Sequence, residues 1–360
     1  MRIAVDAREI CGRPAGKGQY LLRILNEWRD GDDAVFCYVH PGQKIPSELR
    51  GRAIEQVEVA GRSLFWHRAA AKQALQDKAQ VFFASQSYLS ALFCSVPTVT
   101  VVHDLAVFVL KNVKHNAKAN AVEKASLRRS LKRSAAVIAV SQATAKDVQE
   151  IGKCPPDKLH VIGEAPLLMD ARPLPLSARD GSLLFVGTLE PRKNILSLLK
   201  AYAGLREEER QKHPLILVGK QGWGGEDYEG VAEKLGISTT CRFEGYLSTE
   251  ELVSRFQKAR CFAYLSHYEG FGLPVIEAMA AGTPVLVSNT PALTELVADT
   301  GRVCDPQDID GITASLRALL EDDTLAQKMS DKALKRAQGY SWETVAAQVR
   351  DLLSSVATAP

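Results

Sequence analysis

The chain's 360 residues are too many for one ordinary core and fit two domains of usual size. A hydrophobic fraction of 46% beside 24% charged is that of a globular chain, and a net charge of +3 is too small to argue for nucleic acid. No apolar run approaches the ~20 residues of a membrane span.

The first residues run straight into a strand pattern instead of a leader segment, and the seven cysteines are scattered without a Cys-x-x-Cys pair. Reduced cytoplasmic thiols are therefore expected, and a metal site has little support.

In chain order, residues 2–6 read as a first strand, 12–18 as a glycine-rich loop and 19–28 as an amphipathic helix. Such a loop is either a plain flexible turn or a ligand contact at the helix start. Gly16-x-Gly18 fails as a dinucleotide fingerprint, because Leu21 stands where the third glycine would be. That disfavours a nicotinamide oxidoreductase. Strands follow at 35–39, 57–59, 81–84, 98–102 and 135–140, with helices over 63–75 and up to 151, the latter capped by Ser141. His103 and Asp104 close the strand 98–102, where open α/β sheets bind ligands, although a His at a strand end is often structural.

Lys111, Lys114, Lys118, Lys124, Arg128, Arg129, Lys132 and Arg133 stand against the single acid Glu123. The run is either a solvated helix face or a patch for anionic lipid, at about 1 kcal/mol per basic residue near the surface. No aromatics interleave it, which disfavours nucleic acid.

Five prolines between positions 154 and 180 mark the domain boundary, and a second alternation of strands and helices begins at 182. The expected organisation is 1–163 as a first doubly wound domain, 164–180 as linker, 181–340 as a second, and a terminal helix over 341–360.

In the second half, strands are expected at 182–187, 214–220, 261–265 and 285–287, with a strand and its turn over 241–247. Helices fall at 195–205, 228–235, 249–258, 273–281, 291–297, 309–320, 324–337 and 342–354. Gly187 precedes Arg192 and Lys193 at a helix entrance. Arg as a fork and Lys as a point charge would suit a diphosphate, though a surface Arg-Lys pair is more often merely solvated.

The stretch around which the rest is organised runs Glu269-Gly270-Phe271-Gly272-Leu273-Pro274 through Glu277 to Gly282-Thr283-Pro284-Val285. Two glycines on a strand's exit loop let a ligand approach backbone, and the helix opened near Pro274 presents free N–H groups. Glu269 and Glu277 can each accept from sugar hydroxyls. An acidic, glycine-rich βαβ loop with no ligand would look similar.

As a whole string, this stretch resembles the Glu-x7-Glu signature of retaining glycosyltransferases with the GT-B fold, in particular glycosyltransferase family 4. The segments Thr100-Val101-Val102-His103-Asp104 and Gly187 through Arg192-Lys193-Asn194 resemble family segments too. The resemblance covers nearly the whole chain, strongly in the second half and loosely before Val99. It implies two facing Rossmann-like domains, with a terminal helix crossing back to the first. The acceptor would bind mainly to the first domain and the nucleotide-sugar donor to the second.

The implied reaction moves a hexose, mannose as first guess from GDP-mannose, to a hydroxyl of a glycan or lipid-linked acceptor, in polysaccharide- or lipopolysaccharide-type biosynthesis. Arg192 and Lys193 would neutralise the diphosphate, with Gly187 beside it. Glu269 would hold the donor sugar and Glu277 the ribose. Gly270, Phe271, Gly272 and Leu273 would offer backbone to sugar and phosphate, Tyr246 and Leu247 would lie near the base, and Gly16 and Gly18 near the phosphates. His103 would serve the donor sugar or acceptor, and Thr294-Glu295 weakly resembles a position below the donor. No metal and no separate cofactor are implied, and the place of action would be the cytoplasm or the inner membrane face. The alternatives are a nucleotide-sugar epimerase of the same fold and a catalytically silent sugar-binding subunit.

Overall fold

Both alternations of strand and helix close into parallel sheets in the computed structural model. It describes residues 1–12, 14–49, 51, 53–110, 117–168 and 173–358, and residues 117–124 by backbone alone. The chain divides into two units, Met1–Glu164 with Ser341–Pro360, and Ala165–Tyr340.

Among the described residues the first unit's sheet has seven strands: β1 (Arg2–Asp6), β2 (Ala34–Val39), β3 (Ile54–Glu58), β4 (Val81–Ala84), β5 (Thr98–Val102), β6 (Ala136–Ala139) and β7 (Leu159–Val161). Their order is β3-β2-β1-β4-β5-β6-β7, and every pairing is parallel. β4, β5 and β6 are buried along their whole length, as expected when helices cover both faces. Trp66, Phe82, Tyr38 and Phe36 fill one side of this core. The terminal helix Trp342–Ala357 belongs to this unit. It packs on the helix Lys17–Trp28, with Trp28 Nε1 donating to the Ala346 carbonyl at 3.2 Å and Arg350 bonded to Asp33 at 2.6 Å.

The second unit's sheet has six strands among the described residues: β8 (Leu183–Val186), β9 (Leu215–Val218), β10 (Cys241–Gly245), β11 (Cys261–Tyr264), β12 (Val285–Ser288) and β13 (Arg302–Cys304). The order is β10-β9-β8-β11-β12-β13, again all parallel. The register of β10 to β9 shifts between Phe243 and Gly245.

β13 was not expected from the sequence. It is a short, half-exposed edge strand containing Arg302, so it has no apolar run to announce it. The helix Glu207–Lys212 was missed for a similar reason: it is charged almost throughout and starts with three acids that suit its dipole. Asp308 accepts from the Gly311 N–H at 2.9 Å and caps the helix Ile309–Glu321. No helix among the described residues is long and apolar enough to cross a membrane.

Candidate functional site

In the second sheet the strand order reverses between β8 and β11, so residues 187–194 and 265–272 leave neighbouring strands at the same end and diverge. An open parallel sheet has its ligand crevice at such a reversal. Pro191 opens a single tight turn, Pro191–Lys193, which ends at Asn194 in the left-handed region (φ 56°). This turn aims two cations at the acid on the opposite loop. Lys193 Nζ donates to Glu269 Oε1 at 2.7 Å, and Arg192 Nη1 lies 3.1 Å from Oε2. Arg192 also grips Glu190 through Nε at 3.0 Å and the Tyr268 carbonyl through Nη1 at 3.0 Å, while Lys193 donates to the Tyr264 hydroxyl.

The Lys193 and Glu269 side chains are each 8% exposed, so their charges interact with little water between them. Burial pushes the Glu269 carboxyl up, but Lys193 and Arg192 outweigh it and hold it at about 2, an anion at any ordinary pH. Burial, with Glu269 beside it, pushes the Tyr264 phenol well above its usual range.

Gly272 follows on the same loop at φ 114°, and a Cβ there would come within 2.7 Å of Leu293 Cδ2. Only glycine meets both conditions. It starts the helix Leu273–Ala280, with no side-chain cap; Pro274 has no N–H and Val275 donates to the Gly272 carbonyl at 2.9 Å, so of the first turn the Leu273 N–H is left for a ligand. Gly270 and Phe271 are buried, the latter against Tyr340 at 6.2 Å, and Leu273 is half-buried. Glu277 is buried on the same helix.

At the exit of β8, the Gly187 N–H donates to the Val218 carbonyl at 2.9 Å. A Cβ on Gly219 would sit 1.9 Å from the Gly187 oxygen, so the two backbones touch where side chains would separate them. Beyond them lies a pocket of about 530 Å³ lined by Leu189, Lys220, Gln221, Tyr228, Phe243 and Gly245. Tyr246 follows Gly245, largely exposed, with the Lys220 ammonium 5.4 Å from its ring centroid, and Leu247 is half-buried. Glu244 is held by Arg255 Nε at 2.8 Å.

In the first unit the order reverses between β1 and β4. Asp6, at the end of β1, is fully buried and binds the Arg8 guanidinium through both oxygens at 2.8 Å. Arg8 in turn stacks 3.5 Å above the ring of Trp66, and His40 meets that ring edge-on at 5.8 Å. Gly16 precedes the helix Lys17–Trp28 at φ 47°, and Gly18 packs so closely that a Cβ would lie 2.5 Å from the Glu9 carbonyl oxygen.

Tyr20 of that helix meets His103 edge-on at 4.8 Å. His103 lies between two acceptors, Glu164 Oε1 at 3.1 Å from Nδ1 and the Ser85 carbonyl at 3.1 Å from Nε2. Asp104 accepts from the Ala106 N–H at 3.0 Å. Arg128, Arg129, Lys132 and Arg133 are exposed on the helix Ala117–Arg133. Lys111 and Lys114, and the side chains of Lys118, Glu123 and Lys124, lie outside the described residues.

The sequence pattern described as "Glycosyl transferases group 1" matches residues 171–336, and "Glycosyltransferase Family 4" matches residues 15–164. The chain belongs to glycosyltransferase family 4. The family 4 chain is 42% identical over 171 residues to an O-antigen chain mannosyltransferase B of Escherichia coli, across 48% of this chain and 45% of that protein. It is 36% identical over 219 residues to an MMP alpha-(1->4)-mannosyltransferase of Mycolicibacterium hassiacum, across 59% of this chain and 52% of that one. The matches thus span about half the length of these curated relatives.

Among solved structures, the sucrose-phosphate synthase of Thermosynechococcus elongatus superposes with a TM-score of 0.82 over 99% of this chain and 98% of its own, at 19% identity. WaaG, a glycosyltransferase involved in lipopolysaccharide biosynthesis, gives 0.76 over 98% and 99%, at 18% identity. The fold is GT-B, with a Rossmann-like sheet in each unit.

Within the family 4 chain, the second unit brings Arg192, Lys193 and Glu269 into contact, while Tyr246 and Leu247 follow β10, two strands away from β8. His103, Gly16 and Gly18 sit in the other unit. Sequence reading missed Glu190 and Tyr264 as partners of the two cations, and Glu164 as the partner of His103. Glu190 immediately precedes Pro191, so an acid two residues before an Arg in a tight turn was the available signal. Tyr264 and Glu164 gave none, since one closes an apolar run and the other stands in the proline-rich boundary. The Asp6–Arg8 pair was also missed, because an acid closing a strand and an arginine two residues on form no local pattern.

Proposed function

We propose that this chain is a retaining hexosyltransferase. It takes a hexose, mannose in the first instance, from a nucleoside diphosphate and transfers it to a hydroxyl of a glycan or lipid-linked acceptor in polysaccharide- or lipopolysaccharide-type assembly. The observation that carries the reading is the buried contact of Arg192 and Lys193 with Glu269 at the β8/β11 reversal. Two relatives are named mannosyltransferases, which supports mannose, and GDP-mannose as the first donor to test.

In this scheme Glu269, kept ionised by its two cations, uses its remaining lone pairs to accept from donor-sugar hydroxyls. Lys193 has three N–H donors and, among the described residues, two acceptors, Glu269 and Tyr264, so one hydrogen remains for a phosphate oxygen. The Leu273 N–H, at the positive end of the helix dipole, adds a donor where the diphosphate leaves. Glu277 takes the ribose hydroxyls, Gly187 and Gly270 through Leu273 line the phosphates and sugar, and Tyr246 and Leu247 flank the base. Gly16, Gly18 and His103 serve the reaction from the first unit. In this scheme the Lys193 ammonium and the Leu273 N–H meet the leaving diphosphate at contact, and no metal takes part.

The work would be done in the cytoplasm or at the inner membrane face, with the basic residues from Lys111 to Arg133 toward anionic lipid. A thermal-shift panel of GDP, UDP, dTDP and ADP sugars tests the donor. A ligand at 100 times its dissociation constant adds about 2.7 kcal/mol. Stabilisation by one sugar nucleotide, and transfer with retained anomeric configuration by NMR, are expected. An inverted product, or no sugar nucleotide bound, would refute the reading. Epimerised free sugar nucleotide would favour the epimerase alternative.

A further inference from the structure

The helix Ser63–Gln76 divides sharply around its axis. Trp66, His67, Ala70, Ala71 and Ala74 face the core. The opposite side carries Leu64, Phe65, Arg68, Lys72, Leu75 and Gln76, which at 3.6 residues per turn fall within about 120° of arc. Three of these six are large apolar side chains left in water: Phe65 is 74% exposed, Leu75 56% and Leu64 42%. Two others are cations, Arg62 and Lys78 extend the positive charge at either end, and no acid stands on the outward arc.

A solvated helix face needs no exposed Phe and Leu, and a face that adsorbs by charge alone gains nothing from them. Apolar residues among cations on one outward arc are the composition of a helix lying in a lipid interface. The cations also continue sideways. The Arg68 guanidinium stands 5.2 Å from the ring centroid of Phe93, and Arg133 Nε donates to the Ala91 carbonyl at 3.2 Å. Both contacts are with the short helix Leu89–Phe93, so that helix joins the outward face of Ser63–Gln76 to the exposed Arg128, Arg129, Lys132 and Arg133.

We propose that Ser63–Gln76 docks this unit on an anionic bilayer by inserting Leu64 and Phe65 among the lipid headgroups. Arg62, Arg68, Lys72 and the neighbouring arginines take the lipid phosphates. The inference deepens the proposed function, since a lipid-linked acceptor must be met at a bilayer, but its test does not depend on transfer. Adsorption by the basic run alone is lost in high salt, whereas insertion leaves a salt-resistant part.

The full chain and its Leu64→Ser/Phe65→Ser variant are partitioned on phosphatidylcholine vesicles with and without phosphatidylglycerol, at low and high salt. The wild type should bind the anionic vesicles and retain part of that binding in high salt. The double variant should bind about 10- to 100-fold more weakly, the loss expected for two apolar side chains partly removed from water. Its melting temperature should be unchanged. In Phe65→Trp, brominated acyl chains should quench fluorescence beyond the wild-type signal.

Equal partitioning of wild type and variant would overturn the proposal and leave adsorption by charge alone. Vesicles binding neither protein, with the serines turning a self-associated chain into a monomer by light scattering, would make this face a contact between copies. Vesicle binding without transfer from any sugar nucleotide would refute the enzymatic reading and leave the docking intact.

Discussion

Replacing Glu269 with Gln preserves its shape and removes the anion on which buried Lys193 and half-buried Arg192 rest. The carboxyl's fall from an ordinary 4.5 to about 2 corresponds to about 3 kcal/mol of preference for the ionised form in the fold. Breaking a buried pair from one side typically costs about 3–5 kcal/mol, because the surviving charge stays buried. Burial holds the Lys193 ammonium below its usual range despite Glu269, which offsets part of this gain, so about 3 kcal/mol is the upper figure for the loss at pH 7. The pH dependence comes from the depressed pKa. The stabilisation is complete above the unfolded value near 4.5 and is lost as pH falls through about 2. The gap between wild type and Glu269→Gln in urea denaturation should therefore be constant from about pH 7 to pH 5 and shrink to less than half by about pH 3. A double-mutant cycle with Lys193→Met should give a coupling of about 2 kcal/mol. A variant as stable as wild type at pH 7, or a gap that does not close toward pH 3, would refute this account of the site.

Lys193→Ala should cut turnover on the order of 10²-fold, as for other donors aimed at developing charge, and chelators should leave the wild type active. Activity abolished by a chelator and restored by magnesium would overturn the metal-free scheme. Glu277→Ala should weaken donor binding more than it slows turnover at saturating donor, since a ribose contact is nearly uniform along the reaction. Unchanged donor affinity with a large fall in turnover would remove Glu277 from the ribose. His67, buried and bonded to Ser90 at 3.0 Å, is held down to about 4 by burial, against an ordinary 6.5. Stability present above pH 6.5 should therefore be lost as pH falls toward 4, and His67→Gln should lose less over that window in melting experiments.

Much of the fold was legible because long apolar runs and their helical partners alternate. β4, β5, β8, β11 and β12 are buried along their whole length and therefore announce themselves. The edges were harder. Only the last part of β3 was read, because an edge strand alternates instead of running apolar, and β13 was missed outright. In the site, the spacing of glycines, proline and acid on one loop made the stretch from Glu269 to Glu277 visible in one dimension. The contact of Glu269 with Lys193 spans 76 positions, and that of His103 with Glu164 spans 61. Local pattern carries no trace of such pairs, which exist only because parallel strands deliver their exits to one end of a sheet.

Those long-range partners change what the Arg-Lys pair can be. From sequence, Arg192 and Lys193 are two adjacent positive charges available to a diphosphate. In the structure each meets a buried acid, and the group Glu190, Arg192, Lys193 and Glu269 has a formal charge of zero. Arg192 has every one of its nitrogens on protein acceptors. Such a group cannot attract a diphosphate over distance as a net positive patch would; it acts through direction, at contact. That suits a leaving group whose charge grows during the reaction, because oriented donors in a buried site stabilise developing charge without first having to be desolvated. It also divides the labour. Arg192 would act mainly by holding Glu269 in place, and Lys193, with its third hydrogen, would be the cation that meets the phosphate. On this argument Arg192→Lys should perturb Glu269, and hence donor-sugar affinity, more than it perturbs the affinity for free nucleoside diphosphate. Lys193→Ala should weaken both. Equal losses in diphosphate affinity from the two variants would return Arg192 to the role of a second phosphate clamp.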